Sequence, residues 1–322
     1  MSESVLGIHH VTAYAQDPQE NLDFYTGVLG LRLVKQTVLF NNPSEVFKGP
    51  TMYHFYYADG TGTPGTVMTF KPHHSIQHGQ VGRGQATATA FTIPEDAVDY
   101  WVDRLGEAPS ATLYPTTERF GRTVIPVQDH DGQPLELITG TSDVDPWADG
   151  PVPAEHALRG FHGVTIHPDN VQHTARMLEV LGYEQVGHEP TPQDGDWTRF
   201  QRAGAEHGQF IDVYNEPNMH EGQWGCGTVH HVAFRARNDE SQQALRDQLL
   251  DAGYSPTTMK DRNYFHSIYF RSPNGINVEI ATDNPGFLHD EPVDQLGTTL
   301  QLPPFLQDRR AEVEAHLADI DV

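Results

Sequence analysis

Two segments near opposite ends of the chain carry the same adjacent histidine pair: GIHHVTAY (Gly7–Tyr14) and GTVHHVAF (Gly227–Phe234). A third segment, SIYFRSPNGINVEI (Ser267–Ile280), sets Glu279 inside a valine-isoleucine run. A buried carboxylate without a partner is unfavourable by several kcal/mol, and a divalent cation would be such a partner. Side chains alternate across a strand, so one histidine of each pair can face a shared site; the second of each, His10 and His231, is the choice. Structural zinc sites fill four positions, often with cysteine, and this chain has a single cysteine. Two histidines and one carboxylate instead leave coordination positions open, the donor set associated with non-haem iron(II) oxygenases. That set does not separate Fe(II) from Mn(II).

The elements that must position these residues repeat four times, and internal repeats are sought before anything else. GIHHVTAYA, GQATATAF (Gly84–Phe91), GFHGVTIHP (Gly160–Pro168) and GTVHHVAF align as opening strands. Each is followed by a helix-like run: Asp17 to Gly30, Pro94 to Gly106, Asp169 to Gly182 and Asp239 to Gly253. The first begins with Asp17 as cap, Pro18 at the first helical position and Glu20 two residues on. All four are expected to stop at a glycine in the left-handed conformation. His10 aligns with Ala88, Gly163 and His231, while the closing strands place Thr69, Glu136, Asp212 and Glu279 at one position. Units two and three therefore keep carboxylates and lack histidines, and units one and four together supply one complete metal site. The segment Thr141–Gly160, rich in proline, glycine and acids, reads as a linker. The tail beyond Thr282, with a helix over Asp308 to Leu317, reads as packing.

Composition bounds the rest. The 322 residues suit two domains or one duplicated unit. Forty-four acids against twenty bases give a formal net charge of −24, which argues against nucleic acid as a partner and fits a protein from a salt-loaded cytoplasm. Only Lys35, Lys48, Lys71 and Lys260 are lysines. No run approaches the ~18–20 apolar residues of a membrane span, so no membrane partner is expected. MSESVLGIHH lacks the basic and apolar regions of a signal peptide; together with one cysteine this predicts a reducing, cytoplasmic location. Heptads and an exposed apolar stripe are lacking, which leaves a homo-oligomer open. Neither a P-loop nor GxSxG occurs, and Cys226 shows no sign of an activated thiolate.

The fourfold strand-helix-strands pattern, with a histidine in the first strand and a glutamate in the last, resembles the vicinal oxygen chelate (glyoxalase/bleomycin resistance/extradiol dioxygenase) superfamily. Within it the chain is similar to hydroquinone and methylhydroquinone ring-cleaving dioxygenases over nearly its whole length, including the tail LPPFLQDRRAEVEAHL (Leu302–Leu317). The resemblance implies an α+β fold of four βαβββ modules in two tandem domains, each a cupped mixed sheet. The N-terminal domain would span 1–145 with modules 5–72 and 83–140. A linker at 146–158 would lead to a C-terminal domain at 159–283, with modules 159–216 and 227–283, and an extension at 284–322.

Carried over by position, the resemblance puts metal ligands at His10, His231 and Glu279. Catalytic residues fall at His9, Thr12, His230, Arg262 and Tyr269, within GIHHVT, VHHVA and DRNYFHSIYF (Asp261–Phe270). The implied activity is Fe(II)-dependent cleavage of a small hydroquinone- or catechol-type ring using O2. Its para hydroxyls could not both reach one metal, so one oxygen would bind. The alternatives are a glyoxalase-like lyase or isomerase, for which the usual fourth ligand would fall on Thr69, and a protein that sequesters an aromatic without turnover. His54, His78 and His188 are expected as surface or satisfied core residues, and the pair in PHHS (Pro72–Ser75) as loop.

Overall fold

The computed structural model describes residues 3–39, 51–191 and 195–322. Four modules follow one another. The first comprises β1 (Ile8–Ala15), α1 (Pro18–Leu22), β2 (Arg32–Val38), β3 (Tyr53–Ala58) and β4 (Val67–Pro72). The second comprises β5 (Gln85–Ile93), α2 (Val98–Glu107), the short β6 (Thr112–Leu113) and β7 (Thr117–Arg119), then β8 (Arg122–Gln128) and β9 (Pro134–Thr139). The third holds β10 (Phe161–His167), α3 (Val171–Val180), β11 (Glu184–Pro190), β12 (Asp196–Gln201) and β13 (Phe210–Asn215). The fourth holds β14 (Val229–Ala236), α4 (Asp239–Asp251), β15 (Lys260–Asp261), β16 (Phe265–Arg271) and β17 (Asn277–Pro285).

These strands form two curled mixed sheets, ordered β15-β16-β17-β14-β1-β4-β3-β2 and β11-β12-β13-β10-β5-β9-β8-β6. The first module therefore joins the fourth, and the second joins the third, so one sheet draws on both ends of the sequence and the other on its middle. The seams are antiparallel, β1 on β14 and β5 on β10. Within each module the opening strand lies parallel to the closing strand, as β1 to β4 and β14 to β17. A helix is the natural crossover for such a connection.

Local chemistry sets the helices. The Asp17 side chain accepts from the backbone N–H groups of Gln19 and Glu20, and Pro18 opens α1. Asn238 and Ser241 cap α4 reciprocally, satisfying donors that a helix end otherwise leaves exposed. The chain beyond α1 continues as a π-helical turn, Asp23–Val28. Gly30, Gly182 and Gly253 have φ of +72°, +90° and +89°, the left-handed stop expected of them. Gly106 departs from that expectation: it lies inside α2, which ends when Ala108 turns extended before Pro109.

Buried apolar faces of β1, β5, β10 and β14 pack with α2, α3 and α4 in one large core that includes Trp101, Met177, Leu245 and Phe234. The tail packs as expected. Leu302, Leu306 and Val313, the last on α5 (Arg310–Glu314), cover Val38. Lys35, wholly buried on β2, is tied to Asp290 and Glu291 of the tail. No helix among the described residues is long and apolar enough to cross a membrane.

Candidate active site

The register of β1 and β14 explains why both histidines of each pair gather on one side. Ile8 pairs with Phe234 but His10 pairs with Ala233, and Thr12 pairs with His231 but Ala13 with Val229. His9 and His230 are thus the extra residues of two β-bulges, which re-aim side chains. The switch is visible in burial: Ile8, Val11 and Ala13 all enter the core, so the alternation changes phase at His9. The expectation that one histidine of each pair turns away is corrected by these bulges. His9 and His10 lie edge to face at 5.1 Å, and their Nδ1 atoms are 2.9 Å apart. His230 and His231 repeat this, with Nδ1 atoms 2.6 Å apart.

Three ligating atoms converge at the seam. His10 Nε2 is 3.3 Å from His231 Nε2 and 3.5 Å from Glu279 Oε2, which lies 2.8 Å from His231 Nε2. Bonds of roughly 2.1 Å at right angles put neighbouring donors about 3.0 Å apart, so the three atoms already have the spacing of three corners of a coordination shell. All three residues are buried. Glu279 Oε1 accepts a hydrogen bond from Ser267, while Oε2 has none of its own. Its short contacts to the imidazoles are therefore lone pairs aimed at a common point, and a cation would satisfy them. Burial alone would raise the Glu279 carboxyl, yet His10 and His231 hold it well below the usual range. Burial draws His231 down to about 4, leaving it neutral and able to ligate.

Hydrogen bonds order the proton positions. Thr282 offers a carbonyl to His9 Nε2 at 3.2 Å, which fixes the proton there. His9 Nδ1 then accepts from His10 Nδ1–H, and the lone pair of His10 Nε2 is turned into the site. In the second pair, turning the His231 Nε2 lone pair into the site makes His231 Nδ1–H the donor to His230 Nδ1, which leaves the His230 proton on Nε2. Burial holds both His9 and His230 well below the usual range, so both are neutral. Thr12 Oγ1 bridges Thr69 Oγ1 at 2.8 Å and His231 Nε2 at 2.9 Å.

A cavity of about 290 Å³ opens over the triad. That is the small end of ligand pockets, suited to one ring. Tyr269 pairs with Glu279 across β16 and β17. Arg262 Nε donates to the Tyr269 hydroxyl at 2.9 Å, which leaves the phenolic proton free to donate. Burial and Glu279 push the phenol upward, so it stays protonated. His230, Thr12, Tyr269 and Arg262 line the cavity, whereas His9 stands behind His10 and does not.

Three basic lining residues escaped the sequence reading. His54, expected as a surface or satisfied core residue, lies in the wall with Nε2 3.2 Å from Thr69 Oγ1 and Nδ1 3.0 Å from the Tyr56 hydroxyl. Lys71 and Lys260 also face the cavity. The signal for Lys71 was available, because it stands two residues beyond Thr69 on the same strand face. His73 is half-buried and His74 exposed, both outside the cavity, and His188 is exposed on β11. His78 proves to lie beside Cys226, with Sγ 3.7 Å from Nδ1 and Asp131 close by. Burial and Asp131 push this thiol up, in keeping with an inert cysteine.

The other sheet repeats the geometry without the imidazoles. Thr165 pairs with Ala88 and Asp212, and Ala90 with Glu136, the same registers as Thr12 with His231 and Thr69 and Ala233 with Glu279. Guanidinium groups occupy the space between the carboxylates. Arg119 forks onto Glu136 at 2.9 and 2.5 Å and approaches Asp212 at 2.9 Å; Arg199 forks onto Asp212 at 2.7 and 2.8 Å. His162, the bulge counterpart of His9, stacks on Phe210 at 4.8 Å. Burial, reinforced by Arg199, draws it down to about 3. An unfolded chain binds that proton near pH 6.5 whereas the folded one does not until about 3, so stability falls as pH falls through this window. A His162→Gln variant should therefore lose about 2 kcal/mol of the stability difference between pH 7.5 and 5. Urea unfolding at the two pH values measures it, and an undiminished difference would contradict the assignment.

Comparison with known proteins follows this geometry. A family model described as Glyoxalase/Bleomycin resistance protein/Dioxygenase superfamily matches residues 7–137 and 146–280. The Bacillus subtilis (strain 168) protein named "Putative ring-cleaving dioxygenase MhqO" is 40% identical over 100% of this chain and 99% of its own. The Sphingobium indicum protein named "Chlorohydroquinone/hydroquinone 1,2-dioxygenase" is 31% identical over 97% of this chain and 96% of its own. A crystal structure of a protein titled putative dioxygenase from Bacillus subtilis superposes with a TM-score of 0.90 at 37% identity, covering 100% and 99% of the two chains. Maize glyoxalase I shares the fold, with a TM-score of 0.61 at 14% identity over 86% of this chain and 92% of the other.

Proposed function

The chain belongs to the glyoxalase/bleomycin resistance protein/dioxygenase superfamily, and on that premise we propose that it is an Fe(II)-dependent dioxygenase that opens the ring of a hydroquinone-type substrate with O2. The observation that carries this reading is the convergence of His10 Nε2, His231 Nε2 and Glu279 Oε2 beneath a ring-sized cavity. Those three residues would hold the ion. Bound there, iron supplies the one-electron chemistry that allows an aromatic ring and dioxygen to react.

The protein's own groups do the rest. Phe265, 4.9 Å from the His10 ring, gives the substrate an apolar face. The Tyr269 hydroxyl, held by Arg262, donates to the substrate oxygen nearest the triad, and the Arg262 charge favours anion developing there. His230 lines the same cavity and, neutral with its proton on Nε2, can donate a hydrogen bond from that atom to a substrate oxygen. Thr69, where a carboxylate ligand would favour an isomerase, is instead hydrogen-bonded to Thr12 and His54.

The deciding experiment is metal analysis of anaerobically purified protein, then oxygen uptake with hydroquinone, methylhydroquinone and catechol. The reading expects iron and one O2 consumed per ring opened; turnover without oxygen would establish an isomerase instead. A Tyr269→Phe variant should lose about 10²-fold in kcat with little change in KM, since the hydrogen bond strengthens as charge develops. Steady-state kinetics on an oxygen electrode check this, and an unchanged kcat would remove Tyr269 from the chemistry.

A further inference from the structure

Lysine is scarce in this chain, and its placement is uneven. Of the four lysines, Lys48 lies outside the described residues, and Lys35 is committed to Asp290 and Glu291. The other two, Lys71 and Lys260, both line the cavity over the triad, in a chain whose net charge is −24. Arg262 adds a third cation to the lining, and among the described residues the only acid there, Glu279, is already turned to His10, His231 and Ser267.

Lys71 is the informative member. It is buried, with 8% of its surface exposed. Among the described residues its Nζ has no hydrogen bond or ion pair; its recorded neighbour is the Tyr14 ring, 5.8 Å away. An ammonium group removed from water without an anion is unfavourable, and one facing a cavity invites the anion from outside. Burial draws it down to about 8, so it remains mainly charged at neutral pH.

Its position also gives a length. Lys71 pairs with Tyr14 in the β1–β4 ladder, and the preceding same-face pair is Thr12 with Thr69. Thr12 touches His231 Nε2. Lys71 thus stands two residues, roughly 6.6 Å of strand, beyond the level of the triad. One aromatic ring held by an oxygen at the triad would reach it with a substituent on its far side.

We propose that Lys71 receives a carboxylate carried by the aromatic substrate on the side away from the triad, so that the preferred class is a carboxylated hydroquinone. The far hydroxyl alone would leave the ammonium charge unanswered, whereas a carboxylate beside it neutralises that charge through a charge-assisted hydrogen bond. This assignment rests on the cavity being the substrate site in the reading above, and its test is an equilibrium one.

Anaerobic equilibrium dialysis of the metal-loaded protein at pH 7 would compare 2,5-dihydroxybenzoate with methylhydroquinone. Wild type should bind the carboxylate at least about 10-fold more tightly, and the preference should shrink as salt is raised. Lys71→Met should erase the preference while leaving methylhydroquinone binding unchanged, which also reports that the cavity is intact; Lys71→Arg should keep most of it. Equal binding of the two probes by wild type, or an undiminished preference in Lys71→Met, would overturn the proposal. Should Lys71→Met not fold, the wild-type comparison and Lys71→Arg still decide, since loss of the preference in Lys71→Arg would also overturn it. A carboxylate preference without oxygen uptake on any ring would sink the dioxygenase reading and leave Lys71 standing; oxygen uptake on hydroquinone without the preference would do the reverse.

Discussion

A Glu279→Gln variant is expected to lose at least about 10²-fold in affinity for its metal and, with it, ring-dependent oxygen uptake by about 10³-fold or more. The amide preserves shape and can still accept from Ser267, but it removes the only negative charge among the three converging atoms. Two neutral imidazoles and an amide do not attract a divalent ion as a carboxylate does. The fold should survive, because the substitution deletes a buried anion whose Oε2 has no hydrogen bond of its own. The metal-free variant should therefore melt close to metal-free wild type, while added Fe(II) raises the midpoint of wild type alone. Metal content, thermal midpoint with and without chelator, and oxygen uptake separate these outcomes. Full metal occupancy with full activity in Glu279→Gln would dispose of the site.

The second large effect falls in the other sheet and concerns stability. Arg119→Met leaves Glu136 without its guanidinium and Asp212 with Arg199 alone, both carboxylates being buried or nearly so. Breaking a buried pair from one side strands a charge, which typically costs about 3–5 kcal/mol. Removing the anion as well, in Arg119→Met with Glu136→Leu, should recover most of that loss, because two apolar groups of similar volume replace a pair whose desolvation offset its attraction. Urea unfolding of the single and double variants gives the coupling directly. Metal content should not change in either, since these residues lie in the other sheet. A single variant as stable as wild type would mean that the cluster is solvated and contributes little.

These two sites occupy equivalent positions, and they were unequally legible. The repeat alignment placed Thr69, Glu136, Asp212 and Glu279 in one row, and the ladders keep that register. It could not find Arg119 and Arg199, because they come from other strands, β7 and β12, and answer no repeated signal. His10, His231 and Glu279 were legible for the opposite reason: adjacent histidines and a carboxylate inside an apolar run are unusual wherever they occur. His54 lacked such context, and only the folded wall gives it neighbours.

The helix starts, the four modules and the segments bearing the triad were determined by the amino-acid sequence alone, since caps, strand periodicity and repeats act between residues close along the chain. Tertiary structure decided that the first module joins the fourth and the second joins the third. It also decided that bulges at His9 and His230 turn both pairs toward one place, and that Lys71 faces a cavity while Lys35 is neutralised. Each of these depends on register between strands far apart in sequence. A shift of one residue there exchanges the faces of a strand, and no local pattern records which pairing packs the core.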